Sequence, residues 1–143
     1  MKIMAIDFGD SRTGLAVCDK LERLAVPVGV IKESNFEKVV EKIVNEITNA
    51  KVDKVIVGYP KNMNGSVGER AEKSELLLAK LKEKVNDIPI ILWDERNTTK
   101  SATIFLNTTN TRGQKRKKII DAVAATIILE SYLNYRKNKK EEK

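Results

Sequence analysis

Three acids extend apolar faces in this chain. Asp7 ends the run Ile3 to Ile6, Glu95 ends IPIILWDE, and Asp121 sits within KKIIDAVAATIIL. Alternate residues of a strand point the same way, so Asp7 shares a face with Ile3 and Ala5, and Glu95 with Ile91 and Trp93. Helical spacing stacks Asp121 with Ala124, Ala125 and Ile128. A carboxylate at such a place is costly to desolvate unless something positive meets it. Three of them converging would repel one another unless a divalent cation lay between them. Magnesium suits that position, because it takes a few carboxylates and keeps waters and substrate oxygens. Taken singly, each acid also has a plainer reading. Asp7 can cap a turn, Glu95 can pair with Arg96 or Arg12, and Asp121 can be a first-turn acid favoured by the helix dipole. Asp10, Asp19 and Asp94 read as turn or solvent-facing acids.

Several segments suit phosphate. The turn FGDSRTG follows Asp7 and offers Ser11, Arg12 and Thr13. VGYPKNMNGSVGERA reads as a strand, a loop rich in Gly and Asn, and a helix start whose amides can bind an oxyanion. Asn62 and Asn64 lie in that loop, and Arg70 in the first turns of its helix. Tyr59, beside the loop, is the candidate for base stacking, whereas Trp93 and Phe105 read as core. Lys115, Arg116, Lys117 and Lys118 precede or open the last helix. Cations there oppose the macrodipole, so stability does not explain them and phosphate contact does. Cys18 reads as a small packing residue.

Composition narrows the classes. The 143 residues suggest one domain, expected over residues 1–136, with 137–143 a frayed charged tail. Hydrophobic content of 41% fits a packed core rather than a disordered chain. A formal charge of +7 favours polyanionic partners. Histidine is absent, which excludes His-based acid–base catalysis and His-ligated zinc. One cysteine allows no internal disulfide, and a cytoplasmic setting is expected. No membrane association is expected, since no apolar run approaches the roughly 20 residues of a span.

The acids must be positioned by the elements around them. Lys2 to Phe8, Thr13 to Cys18 and Ala25 to Ile31 read as three strands with short links, an antiparallel meander. Phe36 to Ile47 shows helical spacing behind an N-cap at Ser34 or Asn35. VDKVIVGYP is a β-branched strand ended by Pro60. Val67 to Val85 steps by three and four as a second helix, and IPIILWDE is another strand. Thr98 to Leu106 reads as a further helix, NTTNTRGQKRKK as an exposed mobile loop, and Lys117 to Tyr135 as the last helix. The order predicts an α/β fold, a mixed sheet covered by helices.

The motifs IDFGDSRTGLAV, VGYPKNMNGSVGERA, LWDERNTT and KKIIDAVAA, in this order, resemble those of the YqgF family of Holliday junction resolvases and pre-16S rRNA nucleases. The resemblance covers nearly the whole chain. It implies an RNase H-like fold with a five-stranded mixed sheet, and Asp7, Glu95 and Asp121 as metal-binding catalytic acids. It further implies cleavage of a nucleic-acid phosphodiester, in ribosomal RNA precursor or in branched DNA, with Mg²⁺ or Mn²⁺ as cofactor. Asp7 would bridge two ions about 4 Å apart, with Glu95 and Asp121 completing the coordination. Arg96, Thr98 and Thr99 join the expected nucleic-acid contacts, and the ribosome or its assembly intermediates the expected partners. The chain is expected to act as a monomer or weak homodimer. Tyr59 and Asn64 stand where the family more often has Leu and Asp, which bears on substrate preference more than on chemistry. Two rivals are weaker. The opening motif is similar to the phosphate loop of actin-like ATPases and sugar kinases, but those need two such lobes. A non-catalytic RNA-binding assembly factor would share the basic surface and need no acid triad.

Overall fold

The computed structural model describes residues 1–60, 68–94 and 113–141. Five strands and three helices are present among them. In chain order they are β1 (Ile3–Asp7), β2 (Arg12–Cys18), β3 (Ala25–Lys32), α1 (Phe36–Ala50), β4 (Lys54–Tyr59), α2 (Glu69–Lys84), β5 (Ile90–Asp94) and α3 (Gly113–Glu141). The strands form one sheet in the order β3-β2-β1-β4-β5. The first three pair as the expected antiparallel meander, and β4 and β5 add in parallel to β1. The three parallel strands therefore end at one edge of the sheet, with Asp7, Tyr59 and Asp94 as their last residues.

Helices cover both faces, so β1 reads as a continuous apolar run rather than an alternating one. Met4, Ile6, Leu15, Val55 and Val57 pack with Val39, Val40 and Ile43 of α1 and Leu77 and Leu81 of α2. On the other face Ile3, Ala5, Ala16, Cys18, Ala25 and Ile56 meet Ala125, Ile128, Leu129, Tyr132 and Leu133 of α3. Small side chains dominate that second layer, which lets α3 lie close to the sheet. Ile91 and Trp93 flank this layer from β5, so the face expected for Glu95 is the face that α3 covers.

Local signals account for the helix ends. Asn35 caps α1, its Oδ1 accepting the Lys38 amide at 3.1 Å. The helix stops at Lys51, which takes a left-handed conformation with φ 53°. Glu69 and Glu72 open α2 and Lys82 and Lys84 close it, an order that matches the macrodipole.

The last helix differs from its sequence reading at both ends. It starts at Gly113, so GQKRKK is helical backbone rather than loop, and it continues through the charged segment to Glu141. Its direction matters for the site. Arg136 donates to Glu22 in the turn after β2, and the Lys54 ammonium at the start of β4 donates to the Tyr132 hydroxyl. Both contacts lie at the edge where β1 and β4 begin. The Gly113 end of α3 therefore points to the opposite edge, where Asp7 closes β1. The expected helix over Thr98 to Leu106 and the loop residues before Gly113 lie outside the described residues.

Candidate nucleic-acid cleavage site

Strand ends in open α/β sheets are where ligand sites form, and Asp7 occupies one. Its side chain is 21% exposed, and its Oδ1 lies 3.8 Å from Nη2 of Arg70. Burial pushes the Asp7 carboxyl above its usual range, and the Arg70 guanidinium partly offsets that. A desolvated carboxylate whose charge is only partly offset by a neighbouring guanidinium is a fitting oxygen donor for a hard divalent ion.

The turn after Asp7 is held from several directions. A Cβ on Gly9 would stand 2.4 Å from the Arg12 carbonyl oxygen, so the chain can double back here only because Gly9 has none. The Lys73 ammonium of α2 donates to Asp10 and lies 3.7 Å from Glu69, tying the turn to the helix that carries Arg70. The Ser11 carbonyl accepts the Glu33 amide at 3.1 Å, which links the turn to the end of β3. Arg70 and Lys73 are three residues apart, a spacing that puts two cations on one side of α2. Lys73 escaped the sequence reading, although that spacing was visible.

The remaining candidates divide into three groups. Ser11 and Arg12 are exposed at the turn, where phosphate can reach them. Lys115, Arg116, Lys117, Lys118 and Asp121 lie in the first turns of α3, the end that runs toward Asp7, and Asp121 comes one turn before the buried Ala125. Glu95, Arg96, Thr98, Thr99, Asn62 and Asn64 lie outside the described residues.

Two expectations are corrected. Thr13 is wholly buried, and its Oγ1 has no hydrogen-bond partner among the described residues, so it cannot contact a phosphate. The cause is register: Thr13 is already within β2, paired with Ile31, and on the face of Leu15 that α1 and α2 cover. Tyr59 is not a stacking surface either. It is 7% exposed, and its hydroxyl donates to Glu75 Oε1 at 2.6 Å.

Other readings hold. Asp10 is engaged by Lys73, and Asp19 accepts the Arg23 and Leu24 amides at 2.8 and 2.9 Å as a turn acid. Cys18 is buried, accepts the Ile3 amide on Sγ at 3.2 Å, and has its thiol pushed up by burial, all unfavourable to a nucleophile.

Known proteins resemble this chain in sequence and in fold. The chain is 43% identical over 140 residues to the "Putative pre-16S rRNA nuclease" of Caldanaerobacter subterraneus subsp. tengcongensis, covering 96% of this chain and 99% of the relative. The Bacillus subtilis protein of the same name is 38% identical over 136 residues, covering 94% and 98%. Among solved structures, a Fowlpox virus resolvase in complex with substrate Holliday junction DNA superposes with a TM-score of 0.62 at 14% identity, covering 94% of this chain and 98% of that one. Thermus thermophilus RuvC gives 0.59 at 12% identity, covering 94% and 97%. The likeness to these resolvases bears out the RNase H-like fold. The family model described as "RuvX: Holliday junction resolvase" matches residues 1–135, and with relatives this similar over nearly their whole length the chain belongs to that family.

Proposed function

We propose that this protein is a divalent-metal-dependent nuclease that trims the 5′ end of pre-16S rRNA, with Asp7, Glu95 and Asp121 as its metal-binding acids. Its family makes it a hydrolase of nucleic-acid phosphodiesters. The observation that supports the site assignment is Asp7, a desolvated carboxylate at the end of β1 that faces Arg70, and the direction of α3 toward that edge of the sheet is consistent with it. The oxygen chemistry of the three acids suits Mg²⁺ or Mn²⁺. When bound, such ions lower the pKa of an attacking water and stabilise the leaving oxygen.

The chain's own groups do the rest. Arg70 faces Asp7 and would exchange that carboxylate for a substrate phosphate. Ser11, Arg12, Asn62, Asn64, Arg96, Thr98, Thr99 and the basic run Lys115 to Lys118 would hold the backbone and set its register without reading sequence. Such a protein would work in the cytoplasm on ribosome-assembly intermediates, as a monomer or weak homodimer. Among the described residues no helix is long and apolar enough to cross a membrane.

RNA is favoured over DNA by degree of likeness. The relatives about 40% identical carry the rRNA-nuclease name, whereas the solved resolvases match at 12 to 14%. The second reading, cleavage of four-way DNA, draws on the family description and needs two sites cutting symmetrically, hence a dimer. A cleavage assay on precursor rRNA and on four-way DNA, with titrated Mg²⁺ or Mn²⁺, tests both. The RNA should be cut by the wild type and spared by Asp7→Asn. Preferential cutting of the junction would transfer the assignment to DNA. Full activity in EDTA would remove the metal from it, and RNA binding with no cleavage of either substrate would leave only an assembly factor.

A further inference from the structure

Trp93, Tyr132 and Tyr135 form an aromatic cluster between β5 and α3. The ring centres of Trp93 are 5.0 Å from Tyr132 and 5.2 Å from Tyr135, and the two tyrosines are 6.2 Å apart. The Trp93 indole N–H donates to Ser131 Oγ at 3.3 Å, which fixes the ring against α3. Tyr132 is 4% exposed and belongs to the core, but Tyr135 is 47% exposed. Tyr135 is thus braced by two rings and open to solvent elsewhere.

Cations surround the cluster. Lys54 and Arg136 lie 5.1 and 5.9 Å from the Tyr132 ring centre, and Lys139 lies 5.8 Å from that of Tyr135. Lys54 is engaged by the Tyr132 hydroxyl and Arg136 by Glu22. Lys139 has no carboxylate partner among the described residues. A packing role explains Trp93 and Tyr132, but it does not require a half-open ring flanked by an ammonium. That pairing suits an unpaired nucleobase on the ring and its phosphate on the lysine.

The cluster is within reach of a strand bound at the cleavage edge but stands off from that edge: Tyr135 follows Asp121 by fourteen residues, about 21 Å along α3, so it would meet the substrate several nucleotides from the cleaved bond. Trp93 pairs with Gly58 of β4, and Val57, the residue before Gly58, pairs with Ile6 of β1, the residue before Asp7. Trp93 and Asp7 are therefore level along their strands, two strand spacings or roughly 10 Å apart. We propose that Tyr135, braced by Trp93 and flanked by Lys139, is a stacking platform for an unpaired nucleobase of the strand that reaches the cleavage site. This rests on the nuclease reading and adds a contact on the C-terminal half of α3, away from the basic run at its start. Stacking uses the base face, so RNA and DNA single strands should both bind there.

The test uses the full-length protein without divalent metal and single-stranded RNA and DNA oligonucleotides with 2-aminopurine placed at successive positions. The wild type should quench one position strongly in both strands, and little in a duplex that hides the base. Tyr135→Ala and Tyr135→Leu should lose that quench and bind roughly 5- to 100-fold more weakly, while Tyr135→Trp keeps both. Lys139→Ala should weaken binding and flatten its salt dependence by about one unit while keeping the quench. Thermal melts of each variant check the fold, and Tyr135→Leu keeps the apolar bulk that Tyr135→Ala removes from the helix end. Quench and affinity unchanged in Tyr135→Leu, with cleavage intact, would overturn the platform and leave the nuclease reading standing. A wild type that neither binds nor cuts any strand would overturn both.

Discussion

Arg70 Nη2 stands 3.8 Å from Asp7 Oδ1, so the first turn of α2 supplies a cation facing the carboxylate that ends β1. The guanidinium offsets part of the cost of burying Asp7, whose carboxyl is nonetheless held above its usual range. Removing Arg70 takes away the partial compensation, and the Asp7 pKa rises further. Catalysis needs the ionised carboxylate, so Arg70→Ala should move the acidic limb of the pH–rate profile to higher pH. If Arg70 also meets substrate phosphate, KM should rise and the salt slope of binding fall by about one. An unmoved acidic limb would show that the two groups are not coupled in solution.

Asp7 itself gives a prediction with a definite sign. A carboxyl whose folded pKa is raised contributes stability below its unfolded value of about 3.9, and loses it as pH rises through the folded pKa. Near pH 7 the ionised, desolvated Asp7 therefore costs stability. Asp7→Asn should raise Tm near pH 7, with the gain shrinking toward pH 4, and should reduce metal-dependent cleavage by several orders of magnitude. Melts at both pH values and a single-turnover assay check this. A variant less stable than wild type at pH 7 would contradict the burial argument.

The turn between β1 and β2 should tolerate no side chain at Gly9. The Arg12 carbonyl oxygen is backbone and cannot swing aside, so the added methyl forces the turn open. Gly9→Ala should cost about 1–3 kcal/mol in urea unfolding, a typical overpacking penalty. Activity should fall more than stability alone explains, because the same turn aims Asp7 and carries Ser11 and Arg12. A variant as stable as wild type would place the close approach in doubt.

Period and patterning made the scaffold readable from sequence. The β-branched runs and the three-and-four spacing gave every described strand and helix, and of the two cap candidates, Ser34 and Asn35, it is Asn35 that caps α1. The errors fall where distant partners decide. Thr13 looked like part of a turn, but its pairing with Ile31 buries it. Tyr59 looked exposed beside a polar loop, yet Glu75 from α2 captures its hydroxyl. The charged end of α3 has no apolar period, and contacts such as Arg136 with Glu22 hold it helical. The pattern of IPIILWDE reads Trp93 as core, which is right for its ring but silent on the half-open Tyr135 that it braces.

Thr13 separates the corrected site from the expected one. Its buried hydroxyl is unpartnered among the described residues, so Thr13→Val removes an unsatisfied group of similar shape. Stability should be unchanged or higher by up to about 1 kcal/mol, with cleavage at wild-type rate. A loss of substrate affinity in this variant, with the fold intact, would return Thr13 to the phosphate-binding turn.

The basic run and the acids should separate by phenotype. Lys115, Arg116, Lys117 and Lys118 lie in the first turns of α3, where their charge opposes the macrodipole, and no acid shares that first turn. If they hold phosphates, changing all four to Ala weakens binding and lowers the log–log salt slope by up to about four. It also leaves cleavage recoverable at high enzyme concentration and relieves the unfavourable charge at the helix start. Glu95→Gln should do the opposite, leaving affinity near normal and abolishing cleavage even at saturation. Filter binding across a salt series, paired with single-turnover cleavage, reads both effects on the same substrate. An unchanged salt slope in the basic variant would make the run a solvated surface and move the nucleic-acid track elsewhere. Cleavage by Glu95→Gln at saturation would remove that acid from the metal site.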